Sequence, residues 1–145
     1  MKKNKKNKGF TLFELLVSIS IIGILTALAS VAFSGAQKKA RDARRMQDVK
    51  AIQTAAEQYY SVNTYVYPTS VAVGWTGPGA QSILDKYPTD PKNDVVNGYI
   101  YTQPTFTASD YCHCAKMEST ANANATSACN FLVGVKTHFC AKNQQ

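Results

Sequence analysis

The sequence predicts an α+β protein: a long N-terminal α-helix, its first half membrane-inserted, packed against a small antiparallel β-sheet in a C-terminal globular domain. Three observations predict it. Residues 10–37 carry a single charge, Glu14. Residues 38–61 then repeat apolar side chains at three- and four-residue steps among charged ones, the period of a helix with one buried stripe. After Asn63 that period stops, and Pro68, Gly74, Gly77, Pro78, Gly79, Pro88, Pro91 and Gly98 punctuate short strand candidates.

The elements follow in order. Residues 1–9 (MKKNKKNKG) are polar and basic, and their five lysines account for most of a formal charge of +7 on the 145-residue chain. The high pI therefore reflects a basic leader more than a nucleic-acid-binding domain. The uncharged run from Leu15 to Gln37 exceeds the roughly 20 residues that a bilayer-spanning helix needs. No proline interrupts residues 10–67, so one helix is expected from about Phe10 to Ser61. In its second half, residues 38–61, Ala40, Ala43, Val49, Ile52 and Ala56 should lie under the sheet. The remainder, 62–145, reads as a β-rich head. Its strand candidates are Tyr99–Thr102, Tyr111–Met117 and Phe131–Thr137, the last extending toward Cys140. The segment Glu118–Ala128 is small and polar and is expected to be an exposed loop.

A basic start followed by an apolar run is also the pattern of a secretory signal peptide or a plain membrane anchor, and Ala27-Leu28-Ala29 would serve as a small-residue cleavage site. Neither accounts for Glu14, because a carboxylate costs roughly 2.5–3.5 kcal/mol at mid-membrane and needs a functional reason. Lys8-Gly9-Phe10-Thr11-Leu12-Phe13-Glu14, a basic leader ending in Gly, then an aromatic residue, with Glu fifth after the break, resembles the type IV pilin superfamily with its class III prepilin signal. The resemblance is specific over residues 8–37 and looser beyond. It implies that a membrane-embedded prepilin peptidase cuts between Gly9 and Phe10 and N-methylates the Phe10 amine. It also implies that Glu14 faces the Phe10 amine of a neighbouring subunit, setting register in a homopolymeric helical filament. Opposite charges attract strongly in such a low-dielectric core.

Implied partners are other pilin subunits, the peptidase, an assembly ATPase with its platform protein, and, before assembly, the cytoplasmic membrane. The precursor would be a single-pass inner-membrane protein and the product an extracellular filament for adhesion, motility or DNA uptake. A type II secretion pseudopilin, forming a short periplasmic piston, is the nearest rival. A membrane-anchored metal or redox domain is a rival of another class. Many family members carry a proline further along the membrane helix; Ser30-Val31-Ala32 has none. Lysine and arginine flank the apolar run on both sides, so orientation rests on the resemblance.

Lys38, Lys39, Arg41, Arg44 and Arg45 form a basic cluster diluted by Asp42 and Asp48, expected as a solvated face beside anionic headgroups rather than a DNA site. Cys112, Cys114, Cys129 and Cys140 suggest an oxidising compartment and two disulfides. Cys112 and Cys114 share one face of a strand, so each should pair with Cys129 or Cys140, in either connectivity. Zinc, assisted by His113 or His138, is the competing use; the usual C-x-x-C spacing is missing. Asp90, Asn93 and Asp94, with Asn97, offer oxygen ligands for calcium, which secretion pseudopilins bind in a comparable region; the same residue types also make hydrated turns. Asn124-Ala125-Thr126 fits the N-glycosylation triplet. No P-loop, nucleophile elbow or metal-hydrolase motif is present, so no catalytic activity is expected.

Overall fold

The computed structural model describes residues 9–71 and 74–145; the basic leader, residues 1–8, lies outside them. Helix α1 runs from Leu12 to Val62. Its start is set by a reciprocal capping box: the Thr11 hydroxyl accepts from the Glu14 N–H, and Glu14 accepts from the Thr11 N–H. Its end is set by Asn63, whose backbone and side-chain N–H groups both donate to the Tyr59 carbonyl, and by Thr64 and Tyr65 at positive φ. The helix is unbroken through Ser30-Val31-Ala32, as the lack of proline requires.

One compact unit ends at Gln37 and a second spans Lys38–Gln145. In the first, every described residue is exposed. Phe13, Ile19, Leu25, Leu28 and Phe33 are each at least 60% exposed. The hydroxyls of Ser18, Ser20, Thr26 and Ser30 donate to carbonyls four residues back, which satisfies them within an apolar surface.

In the second unit, α1 buries Asp42, Arg45, Val49, Ile52, Ala55 and Ala56. Ala40 and Ala43, expected beneath the sheet, are exposed. Extending the Val49–Ile52–Ala56 row backward at helical steps reaches positions 45 and 42, so the inward stripe there is ionic. The head holds two antiparallel sheets. Strands β1 (Trp75–Thr76) and β2 (Ser82–Leu84) form a short hairpin, a pairing absent from the sequence reading. Gly74 precedes it where a side chain would run into the Leu84 and Asp85 carbonyl oxygens. Strands β3 (Tyr101–Phe106), β4 (Tyr111–Lys116) and β5 (His138–Lys142) form the main sheet, with β4 central.

Strand β3 therefore starts two residues later than expected and runs through Pro104. An edge strand tolerates that proline at the irregularity between Thr102 and Thr105. The expected strand Phe131–Thr137 is not one. Leu132, Val133 and Val135 are exposed, Gly134 sits at φ 99°, and extended pairing begins only at His138.

Alternation along β4 splits its side chains between two cores. Tyr111, His113 and Ala115 face α1, where Ile52, Ala55, Ala56, Tyr67, Trp75 and Tyr111 make one apolar cluster and Val49, Ala115 and Ala141 another. Burying Val49 or Ile52 contributes about 1.5–3 kcal/mol each. Aromatic rings dominate: Tyr67 stacks on Tyr60 at 4.5 Å and meets Tyr111 edge-on at 4.8 Å. Glu57 accepts from both the Tyr67 and Tyr111 hydroxyls, at 3.0 and 2.9 Å. Cys112 and Cys114 face the other way, where Cys140 and Ala125 complete a second core. The Glu118–Ala128 segment is thus not simply an exposed loop. It folds across the outer face of the sheet, and Ala125 is fully buried there and bridges to His138.

Candidate functional site

The residues that the sequence singles out for assembly sit at the start of α1. Gly9 and Phe10 precede the helix; Gly9 has open space around it and Phe10 is 90% exposed. Among the described residues both flanks of the peptide bond between them are exposed. Glu14 occupies the first turn, and one of its oxygens, Oε2, accepts from both the N–H and the hydroxyl of Thr11, each at 2.8 Å. Thr11 is a functional neighbour that sequence reasoning passed over, although T-x-x-E is the capping-box pattern itself.

The basic cluster divides in three. Arg45 is fully buried and its guanidinium forks onto both oxygens of Asp90, at 2.6 and 2.9 Å. It also donates to Asp42 at 2.8 Å and to Glu118 at 3.0 Å. Burial opposes the Arg45 charge, but the hydrogen bonds it donates to Asp90, Glu118 and Asp42 outweigh it and raise the pKa. Arg41 makes a second fork onto Glu118, at 2.6 and 2.8 Å. Those bonds hold Glu118 at about 2 against the upward push of burial. Asp42 closes the network by accepting from the backbone N–H of Glu118 and of Ser119. Arg44 lies 3.8 Å from Asp48, leaving Lys38 and Lys39 on an exposed surface. Arg45 and Arg41 thus form an internal clamp joining α1 to the segment after β2 and to the segment after β4, while Lys38, Lys39 and Arg44 keep the exposed face that was expected of the cluster.

The candidate calcium residues do not assemble an oxygen cage. Both Asp90 oxygens face Arg45, and Asp90 also accepts from the Lys92 N–H. Asp94 is turned onto Asn97, accepting from its backbone and side-chain nitrogens at 3.1 and 2.7 Å, and Asn93 sits at φ 47° in the turn. These are the side-chain-to-backbone bonds by which Asp and Asn build turns. Asn124 is likewise engaged: its amide donates to the Cys140 carbonyl and accepts from the Cys140 N–H, at 2.9 and 2.7 Å, so the glycosylation triplet lies in a paired segment.

The cysteines pair as Cys112–Cys129 and Cys114–Cys140, with Cα separations of 6.4 and 4.1 Å. The first ties the draped segment to β4, and the second joins register partners on β4 and β5. His113 points to the opposite face. It is fully buried among Trp75, Phe106 and Tyr111, with Nδ1 3.0 Å from the Tyr87 hydroxyl. Burial lowers its pKa to about 4, so it is a neutral core residue. His138 Nδ1 lies 2.9 Å from the Thr137 hydroxyl.

Comparison with known proteins adds to this geometry. The Prokaryotic N-terminal methylation motif matches residues 4–30. The chain is 35% identical over 106 residues to type II secretion system core protein G of Vibrio cholerae, covering 72% of this chain and 67% of that one. The Escherichia coli protein of the same name is 33% identical over 107 residues, 72% of this chain and 68% of the relative. The type IV major pilin protein PilA of Myxococcus xanthus is 38% identical over 58 residues, 40% of this chain and 26% of that one. No solved structure gives a significant match.

Proposed function

This chain belongs to the pilin-like superfamily that includes type II secretion core protein G and the type IV pilins, and we propose that it is a pseudopilin, the filament-forming subunit of a secretion apparatus. It is a structural protein, not an enzyme. The observation that carries the finer reading is the extent of the likeness. A match of 106 residues is longer than everything that precedes the end of α1, so it enters the head, whereas the type IV major pilin match of 58 residues need not. The type IV pilus subunit, which the sequence favoured, remains the second reading on the strength of that shorter match.

The proposed mechanism uses the chain's own groups. The apolar half of α1 holds the precursor in the inner membrane with the leader on the cytoplasmic side. The exposed backbone at Gly9 enters the peptidase, and scission frees the Phe10 amine for methylation. Within one subunit Glu14 accepts from Thr11 through Oε2, and Oε1, which takes no part in those two bonds, would receive the amine of a neighbour. That contact offsets the cost of placing each charge in an apolar core. Once subunits align, the exposed Phe13, Ile19, Leu25 and Phe33 side chains pass from lipid to helix–helix packing, and the heads form the filament surface.

Deleting this chain from its host tests the finer reading. Loss of secreted proteins with surface filaments intact is the expected result. Loss of surface filaments with secretion intact would transfer the assignment to the type IV pilus.

A further inference from the structure

We propose that the four cysteines, when reduced, close around a single zinc ion as a tetrathiolate site. Their sulfurs all lie within 4.8 Å of one another. The gap between the two disulfides is small: Cys114 Sγ is 3.2 Å from Cys129 Sγ and 3.9 Å from Cys112 Sγ. Four thiolates at the usual zinc–sulfur distance of 2.3 Å stand about 3.8 Å apart along the edges of a tetrahedron. The observed separations bracket that value, so modest side-chain rotations convert one arrangement into the other.

The backbone holds the four residues in place without relying on the sulfur–sulfur bonds. Cys112 and Cys114 lie on one face of β4, and Cys140 is the register partner of Cys114 on β5. The draped segment that carries Cys129 is fastened to β5 independently. Asn124 and Ala125 donate to the His138 carbonyl, Thr137 and His138 donate to the Ala125 carbonyl, and the Asn124 amide pairs with Cys140. Three of the cysteines are buried and the fourth half-buried, so a bound ion would be shielded from water, as closed structural zinc sites are. His113 faces the other core, which makes the donor set purely sulfur. The missing C-x-x-C spacing is immaterial here, because the sheet supplies through C-x-C and a cross-strand neighbour what a zinc knuckle supplies through a turn.

The chemistry balances simply. Each disulfide takes two electrons from an added phosphine, in the test below, and two protons from water, whose oxygen ends on the phosphine oxide. The four thiols then give up four protons to bind one Zn²⁺, leaving a local charge of −2. Lys50 and Lys142 line the cleft beside Cys140. Zinc would thus give the head a second lock on the same fold wherever thiols stay reduced.

The test uses the full chain in detergent, reduced with the phosphine and stripped of metal. Titration with zinc should give one ion per chain after desalting and protect all four thiols from alkylation. Cobalt should give the visible bands of a tetrahedral sulfur site. In the Cys112→Ser/Cys129→Ser variant, which keeps the Cys114–Cys140 bridge for folding, zinc affinity after reduction should fall by at least about 100-fold, since even second-shell changes cost 10–100-fold. A reduced chain that retains no zinc, or alkylates as fast with zinc as without, overturns the proposal. So does a double variant that binds zinc as well as the parent.

Discussion

Replacing Arg45 by methionine removes the centre of the buried clamp while keeping a side chain of similar length. Arg45 makes four charge-assisted hydrogen bonds to three carboxylates. The loss falls unequally among them. Glu118 keeps the Arg41 fork, and Asp42 keeps the Glu118 and Ser119 N–H groups. Asp90, 4% exposed, keeps the Lys92 N–H, so it becomes a buried carboxylate without a cation. Breaking a buried pair in this way costs about 3–5 kcal/mol, a large part of the roughly 5–15 kcal/mol that holds a domain together. Trp75, the sole tryptophan and 3% exposed in the head, reports head unfolding without interference from the membrane half of α1. Urea titration at pH 7 followed by its fluorescence should show the midpoint falling by at least about 1 M. Adding Asp90→Asn to Arg45→Met should recover stability, with a coupling of about 0.5–3 kcal/mol. A single variant within about 1 kcal/mol of the parent, or a double variant no better than the single, would refute the argument.

Three further outcomes follow. Glu14→Ala should leave membrane insertion intact and sharply reduce recovery in sheared filaments, measured by fractionation; normal filament yield would remove the pairing argument. The neutral His113 holds its folded pKa at about 4 against 6.5 for an ordinary imidazole, so its contribution is full above pH 6.5 and falls away through pH 4, by about 3 kcal/mol. Glu118, held at about 2, adds a contribution present above pH 4.5 and lost as pH falls through 2; His113→Phe should flatten only the first window in a pH series of unfolding midpoints. Cys112→Ser/Cys129→Ser opens a loop of sequence separation 17 and should cost about 2–4 kcal/mol, read as a lower melting temperature of the oxidised protein.

The helix and the assembly motif were legible because their signals are local. A proline-free apolar run, a period of three and four, and a Gly-Phe-x-x-x-Glu pattern need no tertiary knowledge. The head was harder because its signals conflict. Phe131-Leu132-Val133 and Val135 read like a strand, but Leu132, Val133 and Val135 lie exposed, Gly134 breaks the run and sheet pairing begins only at His138. Arg45 and Asp42 occupy the inward stripe of α1, against the rule that such positions are apolar. Only the arrival of Asp90 and Glu118 from distant segments makes their burial tolerable. The same tertiary event turns both Asp90 oxygens onto Arg45. The cysteines showed that cross-linking was due, but the connectivity depended on where the 118–137 segment lay, and a composition of Ser, Thr, Asn and Ala does not announce that it packs.

The intact mass of this chain recovered from assembled filaments tests the central claim most directly. The account predicts a chain that begins at Phe10, carries one added methyl group and lacks four hydrogens. A chain with its leader still attached, or one cut after the apolar run and found as a free monomer, would contradict it.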